Sequence, residues 1–323
     1  MKIQPICLLF LLLIGIIGCS QQTSTFENKT KIGIMLSDVG LGDQSFSDSA
    51  FYGLEQARDQ LGILFDYREL AEVGDYETGL KELIMQGNDL VIGLGYMMVE
   101  ELEKVAQEYP EQQFVIVDGD IDLPNVMNVN FKEQEGSFLI GAIAGLKTNT
   151  DTVGFIGGED TPLIRKFLSG FKQGVAATNP DAEVLERFAG SFGNDKLGED
   201  IAFELIVEGA DYLYPAAGFT GTGVIKKAQE MGAYSFGVDS DQYYLGEETV
   251  VSSMMKNIDV AMYRLASDLV ENGHLPNEDL LLGLDDNGVG IAPVRVISMT
   301  KSEKDRIEEL TNDIISGSIA IRE

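Results

Sequence analysis

Short apolar runs alternate with amphipathic helical segments along almost the whole of this 323-residue chain. Four such runs fall between Ile32 and Val117, and the pattern restarts at Thr152 and continues to Lys256. Strands that alternate with helices at this spacing form parallel sheets with right-handed crossovers. The sequence therefore predicts an α/β fold with two lobes around a cleft, each lobe a parallel sheet flanked by helices.

The elements that remain after Lys256 predict how the lobes are joined. They comprise a long amphipathic helix over residues 259–272, two short strands and a terminal helix. Segments of this kind cross back to complete both lobes and act as a hinge. We expect one lobe to contain residues 31–129 and about 258–286. The other should contain residues 130–255 and about 287–323.

The start of the chain resembles the leader of a bacterial lipoprotein. Lys2 precedes an apolar run over residues 6–17, which is too short for a comfortable membrane span. The run ends in a Gly-Cys pair that resembles a lipobox. This resemblance implies a signal peptide over residues 1–18 and a polar tether over residues 19–30 that begins with a lipidated Cys19. The expected location is the extracytoplasmic face of the cell membrane, contacted only through the lipid; a plain signal anchor is the alternative.

The composition excludes several kinds of site. Cys7 and Cys19, the only cysteines, both lie in the leader, so the folded body has no disulfide and no thiolate metal ligand or nucleophile. His274 is the single histidine and cannot build a histidine metal site or an ordinary Ser-His-Asp triad. The formal net charge of -30 repels nucleic acid and anionic lipid. We expect no metal, no cofactor and no nucleic acid partner.

Polar and aromatic side chains cluster at the predicted carboxyl ends of the strands, where ligands bind in open α/β sheets. The segments concerned are residues 38–47, Asp118, Phe131, residues 214–223 and residues 239–242. Carboxylates accept hydroxyl hydrogens, aromatic rings sandwich a flat ring, and glycines let main-chain N–H groups come close. If both sheets turn these edges to one cleft, the combination suits a neutral, planar ligand that carries hydroxyl groups.

Other interpretations stay open on the residues alone. Ser47 or Asp48 could simply cap the following helix, with Phe46 filling core. The strand-end carboxylates could form an acid/base pair or bind a hard cation, although no recognised catalytic or calcium-loop motif accompanies them. The glycine-rich segment 218–223 lacks the spacing and the lysine of a phosphate loop, which leaves turning or backbone contact with a ligand. We therefore expect a binding protein and not an enzyme.

Six motifs, in order between about Lys31 and Ile291, resemble those of the basic membrane protein family. They are Asp38-Val39-Gly40 with Gly42 to Phe46, Phe131-x-x-x-Glu135-Gly136-Ser137-Phe138-Leu139-x-Gly141, Gly157-Gly158 with Gly170-Phe171-x-x-Gly174, Gly209-Ala210-Asp211 through Gly218-x-Thr220-Gly221-x-Gly223, Gly237 to Gln242, and Ser252 to Asn257. Members of this family that look like this chain are lipid-anchored substrate-binding proteins of ABC importers, of the purine nucleoside receptor type. The resemblance implies a type I periplasmic-binding-protein-like fold with three hinge crossings, a nucleoside ligand, and permease and ATPase partners.

The resemblance also implies nine ligand contacts, which are Asp38, Phe46, Ser47, Asp118, Tyr214, Gly218, Phe219, Asp239 and Lys256. Asp38, Ser47 and Asp118 would face the base. Phe46 and Tyr214 would sandwich it. Asp239 and Lys256 would hold the ribose hydroxyls, with help from main chain near Gly218 and Phe219; a strand-end surface lysine is the alternative for Lys256.

Three of these positions depart from the family pattern. Ser47 stands where asparagine is usual, Tyr214 where phenylalanine is frequent, and Phe219 where the residue is commonly small. A serine offers one hydroxyl in place of a two-faced amide, so these departures bear on base preference more than on ligand class. Two other functions stay open. One is a binder of another small hydroxylated ligand, such as a sugar or autoinducer, and the other is a surface antigen or adhesin with a vestigial cleft.

Overall fold

The computed structural model describes residues 29–276 and 278–323. The expected signal peptide, the lipidated Cys19 and most of the expected tether lie outside the described residues. Among the described residues, the helices are all too short or too polar to cross a membrane.

The first sheet contains six strands, and all of its neighbouring strands are parallel. These strands are β1 (Lys31–Met35), β2 (Leu64–Arg68), β3 (Leu90–Leu94), β4 (Gln113–Val117), β5 (Val126–Phe131) and β11 (Leu280–Leu282). They are arranged in the order β11-β5-β4-β3-β1-β2. Every residue of β3 is buried, as expected for a strand covered on both faces by helices.

The second sheet repeats this arrangement. Its strands are β6 (Thr152–Gly157), β7 (Glu183–Phe188), β8 (Tyr212–Ala216), β9 (Tyr234–Asp239), β10 (Val250–Lys256) and β12 (Val289–Ile291). Their order is β12-β10-β9-β8-β6-β7, and only β12 pairs antiparallel with its neighbour. Two parallel sheets with the same strand order confirm the predicted fold class, while the antiparallel edge strand differs from the all-parallel expectation.

Ten α-helices cover the two sheets in the described part of the chain. They are α1 (Phe46–Leu61), α2 (Leu70–Val73), α3 (Tyr76–Met85), α4 (Val99–Glu108), α5 (Glu133–Lys147), α6 (Pro162–Thr178), α7 (Asp195–Val207), α8 (Phe219–Met231), α9 (Ile258–Asn272) and α10 (Lys301–Ile315). Helix α9 packs against α1 of the first lobe, and α10 packs against α5 of the second lobe. We call the first sheet with its helices lobe 1 and the second sheet with its helices lobe 2.

The chain passes between the lobes three times. The passages connect β5 to α5, β10 to α9, and β11 to β12. Strand β5 ends at Phe131 and strand β10 at Lys256, so each strand extends one or two residues past the lobe boundary expected from the sequence. All three passages are short, which keeps the cleft-facing ends of the strands close to the hinge.

Helices α5 and α6 pack backbone against backbone beneath the sheet of lobe 2. A Cβ atom added at Gly141 of α5 would overlap the carbonyl oxygen of Phe171, and one added at Gly174 of α6 would overlap that of Phe138. Glycine is required at both positions because no side chain fits between the two helices. The contact fixes α5, and with it the first passage between lobes, to the body of lobe 2.

Candidate functional site

A cavity lies between the lobes where the carboxyl edges of the two sheets face each other. Its lining includes four aromatic, carboxylate and lysine side chains from lobe 2 and its hinge, together with loop and helix residues from lobe 1. The residues that carry the argument are Asp38, Phe46, Tyr96 and Asp118 of lobe 1, and Phe167, Phe192, Gly218, Asp239 and Lys256 of lobe 2. Six of the nine predicted contacts are in this set; Ser47, Tyr214 and Phe219 do not line the cavity.

Lys256 connects the two lobes at the polar end of the cavity. Its Nζ atom donates to both oxygens of Asp118, at 2.7 and 2.6 Å, and only 1% of the lysine is exposed. The Nζ atom also lies 5.3 Å from the ring centroid of Phe46 and 4.9 Å from that of Phe131. Burial opposes the charged ammonium, but the attraction of Asp118, Glu133 and Asp239 outweighs it and raises the pKa of Lys256. The lysine is therefore a fixed cation and not a surface residue.

Glu133 stands behind Lys256, at the first residue of α5. One of its carboxylate oxygens lies 2.9 Å from Lys256 Nζ, yet neither oxygen has a hydrogen-bond partner among the described residues. Burial raises the pKa of Glu133 to about 7, with Lys256 opposing the shift and Asp118 adding to it. Glu133 does not line the cavity, so it acts on a ligand only through Lys256.

Asp239 ends β9 and reaches the same polar end from lobe 2. Its Oδ2 atom accepts a hydrogen bond from Ser45 Oγ of lobe 1, which leaves Oδ1 as the oxygen without a protein hydrogen-bond partner in the described structure. Burial raises the pKa of Asp239, although Lys256 and Ser45 oppose the shift. Together with Asp118, this residue supplies carboxylate oxygens that can accept hydroxyl hydrogens in a site shielded from water.

Asp43 organises the loop between β1 and α1. Its two oxygens accept main-chain hydrogen bonds from Ser45, Ser47 and Asp48, at 2.9, 2.7 and 3.2 Å. Asp43 therefore caps the helix, whereas the sequence suggested Ser47 or Asp48. Asp48 instead accepts from the main chain of Gly42, at 2.8 Å, and of Gln44, at 3.0 Å. Burial raises the pKa of Asp43 to about 6 against the effect of its three N–H donors.

The assignment of Tyr214 to a ring sandwich is wrong in this structure. Its ring is fully buried in the core of lobe 2, 5.3 Å from the Phe171 centroid and 5.7 Å from the Phe155 centroid. Its hydroxyl group lies 3.0 Å from Ser137 Oγ. Tyr214 is the middle residue of β8, two residues before Ala216, which ends the strand and lines the cavity. It therefore lies deeper in lobe 2, where it stabilises the lobe instead of contacting the cavity.

Ser47 and Phe219 are also displaced from their expected roles. Ser47 is completely buried, and its Oγ atom lies 2.7 Å from Ser37 Oγ, so Ser37 stands between it and the cavity. Phe219 is the first residue of α8 and does not line the cavity. The segment after Gly218 is the first turn of this helix, where Gly223 allows close contact with the carbonyl group of Asp195. Of the glycine-rich segment, only Gly218 lines the cavity.

Phe192 is the aromatic residue of lobe 2 that sequence reasoning missed. It lies between β7 and α7 and lines the cavity, and its ring occupies the space that a side chain at Gly158 would need. Its carbonyl group accepts a hydrogen bond from the main chain of Thr220 at 2.9 Å, which fixes the loop against α8. The signal was present in the sequence as an aromatic residue between Gly190 and Gly193 after a predicted strand.

Two aromatic residues outside this loop were missed as well. Phe167 lies on α6, with its ring centroid 5.8 Å from Lys256 Nζ, and Tyr96 follows β3 at the rim of lobe 1. Asp38 also lines the cavity, and burial raises the pKa of its carboxyl group against two main-chain hydrogen bonds. The cavity therefore has a polar end whose carboxylates can accept hydrogen bonds from hydroxyl groups, aromatic walls, and a further carboxylate at Asp38.

Two hydrogen bonds also join the lobes at residues that do not line the cavity. The carbonyl group of Gln44 accepts hydrogen bonds from Gln242 Nε2, at 2.9 Å, and from Ser240 Oγ, at 3.4 Å. Gln44 has a left-handed φ of 55°, an unusual conformation for this residue type. Because Gln44 belongs to lobe 1 and both donors to lobe 2, these bonds hold the two lobes against each other.

Comparisons with known proteins agree with this architecture. The model of the Bmp family, described as ABC transporter substrate-binding protein PnrA-like, matches residues 29–323. A CD4+ T-cell-stimulating antigen of Listeria monocytogenes is 33% identical, over 90% of this chain and 87% of the relative. Basic membrane protein D of Borreliella burgdorferi is 30% identical, over 87% of this chain and 84% of the relative. An uncharacterized lipoprotein of Pyrococcus abyssi is also 30% identical, over 95% and 80%.

Solved structures show the same fold. An ABC transporter solute-binding protein from Aeropyrum pernix K1 superposes with a TM-score of 0.83 at 26% identity, over 90% of this chain and 92% of that one. A solute-binding protein from Conexibacter woesei superposes with a TM-score of 0.72 at 22% identity, over 91% of this chain and 98% of that one. These neighbours confirm the type I periplasmic-binding-protein-like fold. The chain belongs to the Bmp family of PnrA-like ABC transporter substrate-binding proteins.

Proposed function

We propose that this protein captures nucleosides, with purine nucleosides preferred, and delivers them to an ABC importer without chemical change. The observation that carries the proposal is the pairing of a carboxylate–lysine cluster with aromatic side chains in one interlobe cavity. Asp118, Asp239 and Lys256 form the cluster, while Phe46 and Phe192 enter the cavity from opposite lobes. A sugar that carries a flat base needs both kinds of surface.

The polar cluster suits the ribose. Two neighbouring hydroxyl groups can donate to carboxylate oxygens and accept from the ammonium group, and such charge-assisted bonds are strong in a site with little water. The Oδ1 atom of Asp239 supports this role because the protein leaves it without a hydrogen-bond partner. We therefore assign the sugar to Asp239 and Lys256, with Asp118 holding the lysine in place.

The aromatic walls suit the base. We assign the stacking positions to Phe46 and Phe192, the latter in place of Tyr214. Asp38 lies among the same lining residues and can accept donors from the edge of the base. Gly218, with a left-handed φ of 54°, brings unobstructed main chain to the wall of lobe 2.

Capture would proceed by closure of the lobes around the ligand. The Gln44–Gln242 and Ser45–Asp239 hydrogen bonds connect the lobes in this structure, and they would form as the cleft closes. Closure would also create the surface that docks on the permease. The lipoprotein names of relatives support attachment through Cys19 to the extracytoplasmic face of the membrane.

The proposal is tested by isothermal titration calorimetry of the soluble body with guanosine, adenosine, inosine, uridine, cytidine and free ribose. We expect at least one purine nucleoside to bind with micromolar or tighter affinity, and ribose to bind far more weakly. Binding no tighter than millimolar for all five nucleosides would overturn the proposal. Equal affinity for ribose and nucleoside would instead identify a sugar site, because the aromatic walls would then contribute nothing.

A further inference from the structure

Glu133 has an environment that does not suit a permanently ionised carboxylate. It is 1% exposed, and neither of its side-chain oxygens has a hydrogen-bond partner in the described structure. Buried ionised groups without hydrogen bonds are strongly disfavoured. Lys256 Nζ lies 2.9 Å from one of these oxygens, but it directs its hydrogen bonds to both oxygens of Asp118.

The charges around this site do not balance. Asp118, Glu133 and Asp239 all act electrostatically on Lys256, so three carboxyl groups share one ammonium group. Tyr214 is a neutral phenol, because burial and the negative charges of Asp239 and Glu133 raise its pKa. A proton on one carboxyl group reduces the imbalance, and Glu133 is the member of the set that lacks hydrogen bonds.

The imbalance depends on closure of the cleft. Glu133 and Lys256 belong to lobe 2 and its hinge, whereas Asp118 follows β4 of lobe 1. Opening would withdraw Asp118 from Lys256, admit water and leave the lysine to pair with Glu133. Closing would return the second carboxylate to the lysine and remove the water.

We propose that Glu133 takes up a proton from solvent when the lobes close around a ligand, so that ligand capture is coupled to protonation. This inference rests on the proposed function, because it requires the ligand to stabilise the closed arrangement. Glu133 is a positioning residue and not a ligand contact, since Lys256 and not Glu133 lines the cavity. The closed form then binds more protons than the open form, and affinity weakens as the pH rises.

Calorimetry in buffers of different ionisation enthalpy measures the protons taken up on binding. At pH 6 we expect wild-type protein to take up most of one proton with the tightest-binding nucleoside. Glu133→Gln resembles the protonated carboxyl group and should remove that uptake. The affinity of wild type relative to this variant should fall by up to about tenfold per pH unit between roughly pH 5 and 7. Protonation of Asp239 or Asp43 changes the affinity of wild type and of Glu133→Gln alike, so it cancels in the ratio of the two affinities.

Glu204→Gln is the matched control, because it makes the same substitution at an exposed position of α7. It should keep the wild-type proton uptake. Equal uptake by wild type and Glu133→Gln would overturn the coupling while leaving nucleoside binding intact. Failure of wild type to bind any nucleoside would overturn the proposed function and the coupling together.

A second measurement covers the case in which Glu133→Gln does not fold. Carboxyl ¹³C chemical shifts in protein labelled at glutamate report protonation directly, and Glu133→Asp identifies the Glu133 signal by its disappearance. We expect this signal to titrate at higher pH with nucleoside bound than without it. The same titration midpoint in both states would overturn the inference.

Discussion

Asp118 and Asp239 occupy the same place in the two lobes. Each stands at the carboxyl end of the third strand from the hinge edge of its sheet, β4 in lobe 1 and β9 in lobe 2. Both have a left-handed backbone, with φ of 62° and 63°. Aspartate tolerates this conformation better than most residues, which explains how a strand end can turn sharply without glycine and still present a carboxylate to the cavity.

The first prediction concerns Asp239. Asp239→Asn should weaken nucleoside binding about tenfold to hundredfold, because a hydrogen bond to a charged group contributes about 1.5–3 kcal/mol. Asparagine is chosen because it tolerates the left-handed backbone, whereas alanine would add strain. Asp200→Asn, at an exposed position of α7, is the control. Unchanged affinity in calorimetry would remove Asp239 from the ribose site.

The second prediction separates Phe192 from Tyr214. Phe192→Ala should weaken nucleoside binding about fivefold to 150-fold, since stacking of a base on an aromatic ring contributes about 1–3 kcal/mol. Tyr214→Phe should leave affinity unchanged and lower the free energy of unfolding by about 1–3 kcal/mol, because Ser137 loses a buried partner. Calorimetry and urea denaturation of both variants check this pair. The reverse pattern would restore Tyr214 to the binding site.

The third prediction is exclusion of nucleotides. Among the described residues that line the cavity, Lys256 is the only basic one, and it is already paired with Asp118. A nucleoside 5′-monophosphate should bind about 100-fold more weakly than its nucleoside, because like charges placed together in a binding site cost several kcal/mol. Competition calorimetry measures the ratio. Comparable affinities would mean that the phosphate reaches solvent or finds a cation outside this cavity.

The fourth prediction tests the contact between α1 and α9. A Cβ atom at Gly53 would overlap the main chain of Asp259, so Gly53→Ala should lower the free energy of unfolding by about 1–3 kcal/mol. Gly290→Ala is the control, since its added Cβ would meet nothing within 4 Å. Urea denaturation checks both variants. Equal stability would show that the two helices separate at little cost.

The fifth prediction is a pH dependence of stability. When saturating nucleoside holds the protein closed, the pKa of Glu133 is raised from 4.5 to about 7, so the folded state binds more protons than the unfolded state between these values. This contribution to stability is complete below pH 4.5 and is lost as the pH rises through about 7. Glu133→Gln cannot titrate, so its stability relative to wild type should increase from pH 5 to pH 8. Urea denaturation in saturating nucleoside at both pH values measures the change, and a constant difference would contradict it.

Much of the fold follows from local sequence patterns. The apolar runs between Ile32 and Val117 form β1 to β4, and those between Thr152 and Lys256 form β6 to β10, because buried strands in parallel sheets are short continuous apolar runs. The antiparallel pairing of β12 with β10 had no local signal. Its direction is set by the third passage between lobes, which brings the chain back beside a strand far away in sequence.

Strand ends are the positions that a sequence places at a ligand cleft most directly, because the carboxyl ends of parallel strands meet at one edge of a sheet. Asp118, Asp239 and Lys256 stand at strand ends, and all three line the cavity. Tyr214 shares a face of β8 with Ala216, which lines the cavity, but it lies two residues further from the strand end. A likeness between sequences does not reveal how deep in the lobe a strand residue lies. Phe167 could not be predicted, since an aromatic residue on an amphipathic helix is typical of core and only the tertiary structure brings it to the cleft.

The backbone contact between α5 and α6 also determines how motion at the hinge can reach the cavity. Glu133 begins α5, and the glycines further along that helix leave no room for it to slide or tilt against α6. Lobe 2 must therefore rotate together with α5 as a rigid body, about the few residues that separate β5 from α5. Gly141 lies more than 10 Å along α5 from Glu133, at the rise of 1.5 Å per residue of an α-helix. A substitution at this glycine would therefore change ligand affinity although the substituted residue does not contact the ligand.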